Sequence, residues 1–317
     1  MRHAIFLGPP EFTPLVAETL GGGFDLVHAE AGAADAEAAF ARANVVVDAS
    51  MQVRFDAARL ERMPALELLI TATTGADHID AQVLERRGIP LLTLAGQRDF
   101  LRDITPAAEH SWLLLMACAR RLRAAIHHVE AGGWDRQAFP GLMLRGRSLG
   151  VVGCGRIGTW MSRYARAFGM RVHGYDPYLD VDADDFEAAD LDAIFAENDF
   201  VSIHVPYNDE THEMITAAQL RRMRSPSVLI NTSRGAIVSE ADLLAGLEAG
   251  RPSFLGVDVL TGEPDVEKSA IWGYARDHDN VIITPHIGGF SPDALGEVLR
   301  FTASRVVEHF GRVERSP

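Results

Sequence analysis

Cysteine is scarce in this 317-residue chain: there are two, Cys118 and Cys154. One falls in a helical pattern and the other in a glycine turn, so no disulfide framework is expected. The reducing cytoplasm is the expected home. Positive charge is also short, with 30 Lys and Arg against 44 Asp and Glu and a net charge of -14. A phosphate-binding surface needs clustered Lys and Arg, and none stands out, so nucleic acid is not an expected partner. One or two cations still suffice to hold a small anionic substrate. Long apolar runs are missing too. The run at 4–7 stops before Pro9 and Pro10, too short for a signal peptide. The most apolar stretch, 112–119, is far below the roughly 20 residues that span a bilayer, so no membrane partner is expected. Low-complexity segments and short repeats are likewise absent.

What is present is globular material, 47% hydrophobic and 23% charged, long enough for about two domains. Strand-like stretches at 4–7, 26–28, 45–48, 68–71 and 90–92 alternate with helix-like ones at 14–20, 35–42, 56–62 and 81–87. That alternation predicts βαβ units and a parallel sheet. One long helix is expected over 104–130, with Thr105-Pro106 as N-cap and first position, until Gly132-Gly133 breaks the chain. Its stripe of Trp112, Leu115, Met116, Ala119 and Leu122 reads as core or dimer surface. Further strands at 200–204, 228–231, 254–257 and 281–284, with helices near 216–223 and 240–248, continue the pattern. Apolar residues at Leu295, Val298, Leu299, Val306, Val307 and Phe310 have a helical period. This last helix is expected to leave the second domain and pack on the first.

The most informative segment runs from Leu149 to Gly158, a buried strand followed by Gly153-Cys154-Gly155-Arg156-Ile157-Gly158. Helical spacing follows it (Ile157, Trp160, Met161, Tyr164, Ala165, Phe168), then a second strand at 171–175 ending before Asp176. Gly153 permits a tight turn, and Gly155 lets the backbone approach a pyrophosphate on the helix N-terminus. Gly158 lets helix and strand pack closely. Asp176, at a strand end, is placed to accept hydrogen bonds from an adenosine ribose, and its charge opposes a 2′-phosphate. The reading is NAD rather than NADP. The acidic run 176–192 is otherwise a solvated face.

Polar groups follow three other apolar strands, where open parallel sheets form their ligand crevice. These are Arg234 after 228–231, Glu263 after 254–257 and His286 after 281–284. A guanidinium can hold the carboxylate of a 2-hydroxy acid by two parallel hydrogen bonds. An imidazole can take the hydroxyl proton as hydride leaves, and a carboxylate beside it can fix its tautomer.

With these residues in view, the chain resembles the D-isomer-specific 2-hydroxyacid dehydrogenase family. The matching blocks, in order, are Thr74-Gly75-Ala76-Asp77-His78-Ile79-Asp80, Ala108-Glu109-His110, His204-Val205-Pro206, Asn231-Thr232-Ser233-Arg234-Gly235, Gly256-Val257-Asp258-Val259, Gly262-Glu263-Pro264 and Pro285-His286-Ile287-Gly288-Gly289. The resemblance implies two doubly wound parallel-sheet domains, a Rossmann NAD-binding domain (104–289) inserted in a flavodoxin-like substrate-binding domain (1–103 and 290–317). It implies Arg234 as substrate binder, Glu263 as partner of the base and His286 as acid/base. Thr74, Gly75 and Ala76 would meet the substrate carboxylate. Gly153, Gly155, Arg156, Ile157, Gly158 and Asp176 would hold the nucleotide. His204, Val205, Pro206, Thr232, Ser233, Asp258 and Gly288, with His286, would lie toward the nicotinamide. The implied substrate is a small D-2-hydroxy or 2-oxo acid, the implied assembly a homodimer, and no metal is implied. Two loops, 96–104 and 266–280, are longer than usual for the family and bear on which acid fits. No regulatory domain of the kind many phosphoglycerate dehydrogenases carry is expected at the C-terminus. Two other functions remain open: an NADH-sensing scaffold resembling the corepressors of this fold, and phosphite or formate oxidation, the latter disfavoured by Glu263.

Overall fold

The computed structural model describes residues 1–30, 36–179 and 184–313. The expected helix start at Asp35 and residues 180–183 of the acidic run lie outside the described residues. The chain divides into two compact units, Met1–Leu101 with Ser291–Pro317, and Arg102–Phe290.

The smaller unit alternates β1 (Arg2–Leu7), α1 (Thr13–Leu20), β2 (Phe24–His28), α2 (Ala36–Arg42), β3 (Val45–Asp48), α3 (Ala57–Glu61), β4 (Leu68–Thr71), α4 (Ala81–Arg86), β5 (Leu91–Leu92) and α5 (Arg98–Leu101). Its five strands are parallel in the order β2-β1-β3-β4-β5, the flavodoxin-like arrangement. Every residue of β3 and β4 is buried, as a parallel sheet covered on both faces requires. Asp56 and Asp80 cap α3 and α4 by accepting the amides of Arg59 at 2.9 Å and Val83 at 3.0 Å, each cap contributing about 1 kcal/mol. The C-terminal helix Pro292–Val313 belongs to this unit and lies along α1. Phe310 packs on Phe24 with ring centroids 5.7 Å apart, and Phe301 stacks on Phe100 at 3.9 Å.

The larger unit begins with α6 (Pro106–Ala119) and α7 (Leu122–Glu130). It continues through β6 (Ser148–Val152), α8 (Arg156–Ala167), β7 (Arg171–Tyr175), β8 (Glu187–Ala188), α9 (Leu191–Glu197), β9 (Phe200–Ile203), α10 (Ala217–Leu220), β10 (Val228–Asn231), α11 (Glu240–Glu248), β11 (Phe254–Val257), α12 (Ala270–Asp277) and β12 (Val281–Ile283). Its seven strands are parallel, ordered β12-β11-β10-β9-β6-β7-β8. This is the Rossmann order extended by one strand. The winding reverses between β6 and β9, and the crevice at their carboxyl ends is where such sheets take a ligand.

The single helix expected over 104–130 is two. Arg121 adopts the left-handed conformation at φ +52°, and the Ala119 carbonyl accepts from Leu142 N at 2.7 Å instead of continuing a helical ladder. Leu114, Leu115, Cys118 and Ala119 of α6 are buried against residues of the large sheet, whereas α7 buries none. The expected stripe is therefore divided: Leu115 and Ala119 are core, while Leu122 is exposed. The loop 266–280 contains α12, held by the Ser269 side chain, which accepts from Trp272 N.

Candidate active site

The nucleotide turn follows from three glycines with different physical duties. Gly153 has φ +95°, and a Cβ there would lie 2.7 Å from the His204 carbonyl carbon and 2.8 Å from Val205 N. Backbone at 204–205 thus closes directly on the turn. A Cβ on Gly158 would lie 2.1 Å from Gly153 O, so helix α8 can sit this close only without a side chain. Gly155, the N-cap of α8, has nothing within 4 Å of a built Cβ. No side chain caps α8, so its first amides are left without a capping partner, a ready anion site. Arg156 adds its backbone amide there, while its guanidinium is turned to the Ile104 carbonyl. Burial lowers the pKa of that guanidinium from its ordinary value.

Asp176 stands at the tip of β7. One carboxylate oxygen accepts Cys154 N at 3.0 Å, and the other accepts Tyr178 N at 3.0 Å and Leu179 N at 3.2 Å. A carboxylate has about four lone-pair sites, so acceptor capacity remains for a ribose hydroxyl. The open space before Gly155 and this fixed acid fit a dinucleotide. Burial and Asp176 together push the Cys154 thiol up to about 12, so it is not a nucleophile here.

His204 hydrogen-bonds Ser202 through Nε2 at 2.7 Å, while its enclosed Nδ1 has no hydrogen-bond partner among the described residues. Burial pushes its pKa down to about 3, which leaves a neutral ring at the end of β9. Val205 is buried and Pro206 exposed.

Past β10, Asn231 closes the turn that presents Arg234. Its side chain accepts Ser233 N at 3.0 Å and donates to Arg234 O at 2.9 Å. Ser233 Oγ donates to Ile203 O at 3.0 Å, and Thr232 Oγ1 shares a 2.7 Å hydrogen bond with Ser111 of α6. Arg234 Nη1 donates to Ser233 O at 2.8 Å. A Cβ on Gly235 would lie 2.3 Å from both Leu260 C and Thr261 N. The turn bearing Arg234 is therefore pressed against the turn that leads to Glu263.

Glu263 and His286 meet. His286 Nδ1 lies 3.1 Å from each carboxylate oxygen of Glu263, and both side chains are 32% exposed. With the Nδ1 proton shared between these oxygens, the tautomer leaves Nε2 unprotonated in the neutral ring. His286 has φ +55°, a strained conformation for a residue with a side chain and one that clusters at functional sites. Its amide donates to Asp258 O at 2.9 Å. The buried Asp258 carboxylate accepts Gly288 N at 2.7 Å.

Thr74, Gly75 and Ala76 belong to the smaller unit, in the loop after β4. Thr73 Oγ1 donates to Gly75 O at 2.6 Å and Ile79 N to Ala76 O at 2.9 Å. Nearby, His78 Nε2 meets the buried Asp48 carboxylate at 2.7 Å.

Asn231 has no role assigned by the sequence, although Asn after a strand and before a glycine turn is a signal for side-chain closure. His110, Ser111 and Thr284 likewise have no assigned role and are brought in by tertiary contacts, His110 to Thr284 and Ser111 to Thr232. Among the described residues no His, Cys, Asp and Glu group could hold a metal, and no helix is long and apolar enough to cross a membrane.

Comparison with known proteins places this geometry. Residues 112–288 match the D-isomer specific 2-hydroxyacid dehydrogenase NAD binding domain, and residues 9–100 match the catalytic domain of the same family. The chain is 33% identical to the hydroxypyruvate reductase of Thermotoga maritima, covering 74% of each. It is 35% identical to the glyoxylate reductase of Korarchaeum cryptofilum over 83% of this chain and 78% of that one. A D-3-phosphoglycerate dehydrogenase of Archaeoglobus fulgidus is 30% identical over 81% of this chain, which spans 47% of that relative. Among solved structures, the D-lactate dehydrogenase of Aquifex aeolicus, in complex with NAD and lactic acid, superposes with a TM-score of 0.83. It is 27% identical, and the superposition covers 98% of this chain and 95% of that one. A parallel-sheet fold, a dinucleotide turn and two matched domains agree: the chain belongs to the NAD-dependent D-isomer specific 2-hydroxyacid dehydrogenase family.

Proposed function

We propose that this enzyme exchanges a hydride between NAD(H) and C2 of a small D-2-hydroxy or 2-oxo acid. Glyoxylate and hydroxypyruvate are the first candidates because two similar relatives are named as their reductases. The observation that carries the reading is the Glu263–His286 pair at 3.1 Å, with Arg234 at a neighbouring strand end. Bound NAD supplies the hydride acceptor or donor. In oxidation, the substrate hydroxyl gives its proton to His286 Nε2 as the C2–H bond breaks and the carbonyl forms. In reduction, the same Nε2–H protonates the carbonyl oxygen. Glu263 keeps the Nδ1 proton in place and stabilises the imidazolium. Arg234 holds the substrate carboxylate, and the backbone at Thr74, Gly75 and Ala76 is a further candidate to bind a carboxylate.

For the cofactor, the amides of Gly155, Arg156, Ile157 and Gly158, presented by the turn at Gly153, take the pyrophosphate and Asp176 the adenosine ribose. His204, Val205, Pro206, Thr232, Ser233, Asp258 and Gly288 are assigned to the nicotinamide side. The exposed apolar face of α7 and the following loop (Leu122, Ile126, Val129, Trp134, Met143) receives a second copy of the chain, giving a homodimer.

NADH consumption with glyoxylate, hydroxypyruvate, pyruvate and phosphohydroxypyruvate tests the reading. Turnover of a small unphosphorylated acid, faster with NADH than NADPH, is expected. Failure on the whole panel would overturn the proposal, and a preference for NADPH would overturn the role of Asp176.

A further inference from the structure

Asp258 follows β11, and its side chain is only 1% exposed. The family resemblance turns it toward the nicotinamide, yet its hydrogen bonds run to the turn that carries His286. Thr284 Oγ1 donates to Oδ1 at 2.5 Å, Ile287 N to Oδ1 at 3.0 Å and Gly288 N to Oδ2 at 2.7 Å. The Asp258 carbonyl accepts His286 N at 2.9 Å. One aspartate therefore binds residues on both sides of His286 and His286 itself. The residue it passes over, Pro285, has no N–H to offer. Burial alone would raise the Asp258 pKa, but the hydrogen bonds from His110, Thr284, Gly288 and Ile287 bring it below the ordinary carboxylate value. These four donors favour the charged form.

The second member comes from α6. His110 Nε2 lies 2.8 Å from Thr284 Oγ1 and 3.3 Å from Asp258 Oδ1. Thr284 spends its hydroxyl proton on Asp258, so its oxygen can only accept from His110, which fixes the proton on Nε2. Gly288 completes the fit. A Cβ there would lie 2.9 Å from Asp258 Oδ2 and 3.6 Å from His110 Cδ2, so a side chain would force its amide off the carboxylate.

This arrangement answers a mechanical need. His286 occupies a left-handed backbone conformation at φ +55° that persists only where the surroundings over-determine it. Glu263 orients the ring but does not hold the backbone beneath it. We infer that Asp258, Thr284 and His110 form a positioning network for the His286 turn, so that His110 governs turnover from helix α6 through the turn it supports. The inference rests on His286 being the acid/base, and misplacing such a group by about 1 Å costs on the order of 100-fold in rate.

The test measures kcat and KM for glyoxylate, with NADH affinity by fluorescence, in wild type and in His110→Ala, His110→Gln, Thr284→Val, Thr284→Ser and His286→Ala. Thr284→Val is nearly isosteric and keeps the test available if His110→Ala does not fold. His110→Ala and Thr284→Val are expected to lower kcat by about tenfold or more, with NADH affinity within about threefold of wild type. His110→Gln and Thr284→Ser, which keep the donor, should recover most of the loss. The network is refuted if His286→Ala abolishes turnover while His110→Ala and Thr284→Val stay within about twofold of wild type. It is equally refuted if the conservative variants fall as far as the truncated ones. Turnover retained by His286→Ala would instead overturn the acid/base reading on which the inference stands.

Discussion

The two units are built alike and equipped differently. In each, the first strand lies inside a parallel sheet, β1 between β2 and β3 and β6 between β7 and β9, so each has a crevice at its strand carboxyl ends. The first turn then separates them. After β1 the chain reads Gly8-Pro9-Pro10, and two of those three residues have no N–H to give. After β6 it reads Gly153-Cys154-Gly155-Arg156-Ile157, and every residue has one. Gly153 N and Cys154 N are spent on Tyr175 O and Asp176, which leaves the amides of Gly155, Arg156 and Ile157 at the start of α8 for a pyrophosphate. Its other strand ends carry Arg234, Glu263 and His286, whereas β3 of the smaller unit ends in the buried Asp48, tied to His78 at 2.7 Å. Sheet topology supplies a place, and the donors in the adjoining turns decide what can occupy it.

That contrast can be pushed at three points. Gly158→Ala should be the most damaging change to the larger unit, because its new methyl would sit 2.1 Å from Gly153 O. Overpacking of this kind costs about 1–3 kcal/mol, read from urea unfolding. Gly155→Ala enters open space and should leave folding intact while raising the NADH dissociation constant by about tenfold, or ~1.4 kcal/mol. Equal effects of the two variants on stability would erase the distinction between a packing glycine and a ligand-facing one. The smallest effect is expected on α7, where Ile126 is 47% exposed. Ile126→Glu should halve the mass measured by light scattering and change monomer stability by only about 0.5 kcal/mol. An unchanged mass would remove α7 from the dimer contact.

Much of the scaffold was legible in the sequence for a simple reason. Strands such as β3, β4, β10 and β11 are buried on both faces, so they appear as short apolar runs ending in polar residues. The observed bounds of these four coincide with those expected from the pattern. β8 was invisible because it is two exposed residues at the sheet edge. The break at Arg121 was invisible because helical periodicity runs across one left-handed residue, and neither glycine nor proline marks it. At the site, residue types and strand ends were legible, but distances were not. Glu263 and His286 are 23 positions apart, and His110 and Thr284 174 apart; no local pattern encodes such meetings. The left-handed backbone of His286 at φ +55° is uncommon for any residue but glycine, and no local pattern marks it.

In the proposed reaction Arg234, Glu263 and His286 act on the substrate while the glycine turn holds the cofactor independently. The most direct measurement is turnover alongside NADH binding in Arg234→Ala and His286→Ala. In each, kcat/KM should fall by about 100-fold or more, with NADH still bound within about threefold of wild type. Near-normal turnover in either variant would contradict the role given to that residue, and loss of NADH binding along with turnover would contradict the separation of the two sites.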